Sequence, residues 1–159
     1  MAAGPGRVAL MSIHPRYADG ILAGTKQVEF RKRRLAPDVD TVIVYATQPI
    51  GAVVGVFRLA GTDIDTPQRL WHRHGRHGDV ERRDYDQYYA HHQTAVGLCV
   101  SHARRLNTPL SLTAVGATVA PQSFQYLPLA VLDQLDDPRS SNPLMPVSWT
   151  QSPPGSWAT

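Results

Sequence analysis

Apolar residues come in short runs along this chain, and the period of the runs changes where glycine and proline fall. Val8 to Ile13 is nearly continuous in apolar character and predicts a first strand. The pattern then turns helical. Pro15 suits a first helical position, Tyr17 with Ile21 and Ala18 with Leu22 make a stripe at i,i+4, and Gly24 is placed to end the helix in a left-handed cap. Beyond that break the period drops to two, with Gln27, Glu29 and Arg31 on one face and Val28 and Phe30 on the other. Thr41 to Ala46 and Ala52 to Leu59 predict a hairpin turned by Gln48-Pro49-Ile50-Gly51, with Thr47 at its tip and Gly55 marking a bulge or a close approach.

Thr66-Pro67 has the form of an N-cap and a first-turn proline, predicting a short helix through Leu70 and Trp71. His72-Arg73-His74-Gly75-Arg76-His77-Gly78 is basic and glycine-broken, the pattern of an exposed loop. Glu81 to Ala90 predicts a helix carrying Tyr85, Tyr88 and Tyr89, and Thr94 to Ser101 a strand. A strand or turn is expected around Leu110 to Val115, and a short turn or one-turn helix in the segment Pro121 to Pro128, carrying Gln122 and Ser123. Leu129 to Leu135 closes the core as an apolar strip. The expected organisation is one domain over 8–137, a flexible tail at 1–7 and a disordered Pro/Ser-rich tail at 138–159.

Composition adds a mild basic bias. Lys plus Arg is 16 against 13 acidic residues, a net charge of +3, and seven of the cations fall within residues 1–34 beside only Asp19 and Glu29. That favours an anionic ligand near the first helix. All the cations are arginine except Lys26 and Lys32, so a lysine in the turn after Gly24 suggests a need for a compact, titratable ammonium. The lone Cys99 has no internal disulfide partner and sits in an apolar run, where it packs as a small hydrophobe. No apolar run approaches a membrane span and no signal-peptide core is present, which sets the expectation of a soluble cytoplasmic protein with no membrane partner. Neither a glycine-rich phosphate loop nor a DNA-binding helix-turn-helix is evident.

The candidate chemistry lies in the eleven residues from Gly24 to Arg34. Glu29 and Arg31 on one strand face stand roughly 6 to 7 Å apart, and Lys26 leans toward the same mouth. The ordinary alternative is a solvated ion pair worth about 0 to 1 kcal/mol. The His-x-His-x-x-His spacing of His72, His74 and His77 lacks cysteine or carboxylate partners and a rigid frame, so it favours a solvated loop or phosphate contact over a metal, and neither a metal nor a cofactor is expected. Tyr85 and Tyr88 are either core edges or, beside so basic a segment, platforms for an unpaired base. The Thr47 hydroxyl either caps its turn or meets a ligand.

Three separated strings, "MSIHPRYADGILAGTKQVEFRKR", "VYATQPIGAVVGVF" and "PQSFQYL", resemble the ASCH domain, a PUA-like module, over roughly residues 8–132. The resemblance implies an α+β fold, a small PUA-like β-barrel of about five to six strands with flanking helices. It further implies a cleft beside the glycine-lysine turn that binds RNA or a modified nucleoside. By motif position Ser12, Lys26, Glu29, Arg31, Thr47, Gln122 and Ser123 line or support that cleft, and Tyr88 is the stacking candidate. One branch of the superfamily removes the acetyl group from acetylcytidine with the motif lysine and a threonine three residues on. Here that second position is Glu29, and a carboxylate cannot stand in for the hydroxyl as nucleophile on an amide. Other relatives are ribonucleases. The leading expectation is therefore binding of RNA or a modified nucleoside. The alternatives are a hydrolase with Lys26 and Glu29 as its catalytic pair, and a regulatory module responsive to a small nucleotide-like ligand.

Overall fold

A computed structural model of the chain describes residues 6–136. Its strands are β1 (Arg7–Ile13), β2 (Val28–Arg31), β3 (Thr41–Ala46), β4 (Ala52–Asp65), β5 (Ala95–Leu110) and β6 (Phe124–Pro128). The helices are α1 (Pro15–Ala23), α2 (Pro67–His74), α3 (Arg82–Tyr88) and α4 (Leu132–Asp136), with short 3-10 turns at Gly75–His77, Thr113–Val115 and Leu129–Val131. The strands form one sheet in the order β2-β5-β4-β3-β1-β6, in which β1 and β3 run parallel and every other neighbouring pair antiparallel.

The lack of alternation in β1 and β3 has a physical cause. Val8 to Met11 and Val42 to Val44 are all fully buried, because both faces of the central strands are covered. Met11, Ile13, Val42, Val44 and Val54 pack under Ala18 and Ile21 of α1. Leu10, Ile43, Val53 and Leu106 pack on the other side against Val115, Leu127 and Val131. A third cluster joins Val28 and Phe30 of β2 to Leu70 of α2 and Tyr85 and Tyr89 of the α3 region. This cluster fixes the edge strand that carries Glu29 and Arg31.

The α+β expectation holds, with six strands in the sheet. The barrel does not: among the described residues no backbone ladder joins β2 to β6, so the sheet remains open. The two edges meet instead through side chains: Arg31 reaches Ser123, Arg33 lies over the Phe124 ring, and the Ala36 N–H donates to the Tyr126 hydroxyl. Helix α1 is as predicted, with Pro15 in its first turn, His14 Nδ1 accepting from the Arg16 N–H at 3.2 Å and Gly24 left-handed at φ 89°. Thr66 caps α2 as predicted, its hydroxyl accepting from the Arg69 N–H. The histidine segment is not a loop, because α2 continues to His74 and a 3-10 turn follows, with Gly75 in ordinary right-handed geometry. What extends the helix is charge pairing, with Arg73 bound to Asp63 and Asp65 and His74 at 2.7 Å from Asp63. Strands β4 and β5 outrun their expected ends and are interrupted by register shifts. Only Gln122 and Ser123 form a bend, and Phe124 onward pairs with β1 as a strand rather than a helical turn. β1 begins at Arg7, one residue inside the expected tail, while residues 1–5 and the expected tail at 138–159 lie outside the described residues. No described helix is long and apolar enough to cross a membrane.

Gly55 is the predicted close approach. It sits at a register shift of β4, and a Cβ there would lie 2.4 Å from Leu22 Cδ2 and 2.8 Å from the Arg104 carbonyl oxygen. The leucine can swing aside but the backbone cannot, so Gly55→Val is expected to cost at least about 1–3 kcal/mol. A urea-unfolding midpoint equal to that of the parent chain would refute the argument.

Candidate functional site

Lys26 is set by the helix that precedes it. The chain leaves α1 through Gly24, the Lys26 N–H returns to the Gly20 carbonyl at 3.0 Å, and the Gln27 N–H reaches the His77 carbonyl at 2.8 Å. The lysine is thereby turned inward and is only 2% exposed. Its Nζ donates to the Gly78 carbonyl, lies 3.7 Å from Glu29 Oε1 and stands 4.8 Å over the Tyr17 ring and 5.4 Å from that of Phe30. Burial pushes the ammonium pKa below its ordinary value, against the opposing pull of Glu29 and Asp79.

Glu29 is 4% exposed and takes cations on both oxygens. Lys26 faces Oε1, and Arg31 Nη1 donates to Oε2 at 3.2 Å. Arg31 also donates from Nη1 to the Ser12 carbonyl at 3.3 Å and from Nη2 to Ser123 Oγ at 2.5 Å. These contacts reach across from β2 to β1 and to the bend before β6. Ser12 completes that junction, its hydroxyl donating to the Pro121 carbonyl at 2.6 Å and its N–H to the Ser123 carbonyl at 2.9 Å. Arg31 Nε is the one buried side-chain polar atom among the described residues that has no hydrogen-bond partner. So the ordinary alternative, a solvated pair, is excluded, and the three charges form a buried trio.

Two hollows meet at this trio. The first, a cavity of about 290 Å³, has Lys26, Glu29 and Arg31 as its charged wall and Tyr17, Phe30, Tyr85 and Tyr88 as its aromatic lining. The exposed His14 and the half-buried Asp84 complete its polar groups. The second, a groove of about 590 Å³, is lined by Ser12, Arg31, Lys32, Arg33, Tyr88, His92, Gln122 and Ser123. Arg31 and Tyr88 belong to both. Seven of the eight expected ligand residues thus fall on these two surfaces.

Thr47 is the exception. It lies in the β3–β4 turn, where its N–H donates to the Ile13 carbonyl and its carbonyl accepts from the Ile50 and Gly51 N–H groups, and it lines neither hollow. Tyr85 is a core residue with one edge on the cavity, 2% exposed and donating its hydroxyl to the Pro67 carbonyl at 2.6 Å. Tyr88 is 37% exposed, with Lys32 Nζ 4.5 Å over its ring. Tyr17, Phe30, Asp84 and the Gly78 carbonyl were not expected here. Tyr17 and Phe30 read from sequence as plain core positions, and no pattern marks a backbone carbonyl as a lysine's acceptor. Among the described residues no three histidine, cysteine or acidic side chains are grouped to hold a metal.

Comparison with known proteins places this arrangement. The ASCH domain family model matches residues 11–103. The ASCH domain-containing ribonuclease of Zymomonas mobilis is 34% identical over 82 residues, covering 51% of this chain and 55% of that protein. The large ribosomal subunit protein uL22 of Ureaplasma parvum is 31% identical over 102 residues, covering 64% of this chain and 33% of that protein. The chain thus spans from about a third to about half the length of these curated relatives. The crystal structure of ASCH from Zymomonas mobilis superposes with a TM-score of 0.73 at 26% identity, over 79% of this chain and 91% of that one. With the family match running from β1 through the cavity wall into β5, the chain belongs to the ASCH domain family.

Proposed function

We propose that this protein binds single-stranded RNA, seating one base, plain or modified, in the aromatic cavity while the backbone follows the basic groove. The observation that carries this reading is the shared wall: Arg31 and Tyr88 face both hollows, so one nucleotide can occupy the cavity with its phosphates in the groove. RNA readers of this kind splay out a base, stack it on aromatic rings and hold its backbone with cations. Tyr17, Phe30 and Tyr88 supply the rings, and Lys32 and Arg33 stand exposed in the groove. The volume of about 290 Å³ lies just below the roughly 300–1,000 Å³ of small-molecule sites, in keeping with a single base rather than a larger ligand.

The ribonuclease name of the Zymomonas mobilis relative favours a second reading, cleavage of the bound strand. A ribose 2′-oxygen would attack the adjacent phosphorus as its P–O5′ bond breaks, one group taking the hydroxyl proton and another supplying one to the leaving oxygen. Lys26, whose ammonium is weakened by burial, and Glu29 are the groups placed for proton transfer.

A titration of the full chain with fluorescent single-stranded RNA at several salt concentrations tests both readings, with the recovered RNA run on a gel. Substituting Lys32 and Arg33 by alanine is expected to flatten the log K against log salt plot by about 0.7 for each phosphate no longer neutralised. An unchanged slope would remove the backbone from the groove. Shortened RNA that stays intact with Lys26→Met would make the protein a nuclease, and intact RNA throughout would leave it a binder.

A further inference from the structure

The trio presents its hydrogen-bonding groups in a fixed order, and that order discriminates among bases. Along the cavity wall come Lys26 Nζ, Glu29 Oε1, Glu29 Oε2 and the Arg31 guanidinium, with Lys26 at 3.7 Å from one carboxylate oxygen and Arg31 at 3.2 Å from the other. In hydrogen-bonding terms the wall reads donor, acceptor, acceptor, donor. Capacity remains at each position. Lys26 has three protons and one is committed to the Gly78 carbonyl; each carboxylate oxygen has a lone pair beyond the one facing its cation. Arg31 Nε–H is buried and has no partner, an unmet donor on a side chain that lines the cavity.

From this order we infer that the cavity selects guanine. The guanine edge runs O6, N1–H, N2–H and N3, which is acceptor, donor, donor, acceptor, the complement of the wall. O6 meets Lys26, N1–H and N2–H meet the two oxygens of Glu29, and N3 faces Arg31. Other bases leave a mismatch. Adenine and cytosine each put a ring nitrogen acceptor beside their amino group, so a lone pair would point at the carboxylate. Uracil brings one N–H for two buried carboxylate oxygens. Hypoxanthine keeps O6 and N1–H but lacks the amino group for Glu29 Oε2. A group left unpaired in so enclosed a place is the usual source of strong discrimination. The flat aromatic lining from Tyr17, Phe30 and Tyr88 accepts a purine ring.

This inference rests on the base-binding reading above and adds the identity of the base. Its test is calorimetric titration of the full chain with GMP, IMP, AMP, CMP and UMP, and with uridine-rich decamers carrying one central guanine, hypoxanthine or adenine. GMP and the guanine decamer are expected to bind about 10- to 100-fold more tightly than their hypoxanthine and adenine counterparts. 7-Deaza-GMP, altered only away from the edge in contact, is expected to match GMP. Glu29→Gln, which sets an amide donor against the base donors, is expected to abolish the preference. The analogue series on the unaltered chain decides the matter even where that variant fails to fold. Hypoxanthine binding as tightly as guanine overturns the proposal, as do decamers bound alike whatever their central base, an outcome that leaves RNA binding standing. Selective GMP binding with no gain from the decamers upholds guanine and removes the RNA strand. Absence of binding by every probe overturns both.

Discussion

Arg31→Ala is expected to destabilise the fold by about 3–5 kcal/mol, the loss typical when one partner of a buried ion pair is removed. Glu29 is 4% exposed, and without Arg31 its Oε2 loses its cation while Lys26 remains 3.7 Å from the other oxygen. The damage extends beyond charge. Arg31 donates to the Ser12 carbonyl and to Ser123 Oγ, and these hydrogen bonds tie edge strand β2 to the opposite edge of an unclosed sheet. Lysine cannot replace it, since one ammonium does not reproduce a planar fork reaching three acceptors. Replacing the whole trio, with Lys26→Met, Glu29→Leu and Arg31→Met together, is expected to cost far less than Arg31→Ala, because no uncompensated charge is left inside. Urea unfolding of the two variants decides this. A cost for Arg31→Ala below about 1 kcal/mol would return the trio to the class of screened surface pairs.

The sequence carried the local rules of this fold and few of its long-range ones. Pro15, Gly24, Thr66 and Gly55 each announce a helix start, a cap or a close approach, and each occupies that place, since such signals depend on neighbours in the chain. The histidine segment misled because its structure comes from Asp63 and Asp65, on a strand whose end lay beyond the expected one. The period of two in β2 separated Glu29 and Arg31 from Val28 and Phe30 correctly, but it left open whether the charged face meets solvent or is enclosed. Burial there depends on α3 and on the Gly78 carbonyl arriving from far along the chain. Gln122 and Ser123 were tied to the motif by resemblance alone; for Ser123 the link is physical, since it receives Arg31, while Gln122 lines the groove beside it. Thr47 was brought in by the same resemblance and stands apart, its backbone used by the hairpin turn.

Lys26→Met is expected to weaken guanine-nucleotide or RNA binding by about 10- to 100-fold, the worth of one charge-assisted hydrogen bond in an enclosed site. The same substitution has a signature in pH. The unfolded chain holds the lysine proton up to the ordinary value of 10.5, whereas burial makes the folded chain release it at lower pH. Between the two values the unfolded state binds more protons, so stability owed to Lys26 is fully present above 10.5 and is lost as pH falls through the folded value. Ligand affinity runs the other way, since it needs the ammonium and declines as pH rises through that same interval. Tyr85, held neutral by burial with its pKa pushed up to about 12, contributes equally to both chains and cancels in their difference. The stability of the parent chain minus that of Lys26→Met, measured from pH 7 to 10, is therefore expected to climb while the affinity of the parent relative to that variant falls, a ratio in which the ligand's own titration cancels. If both curves are flat, Lys26 keeps its proton throughout, and its role in the cavity reduces to a fixed positive charge with no part in proton transfer.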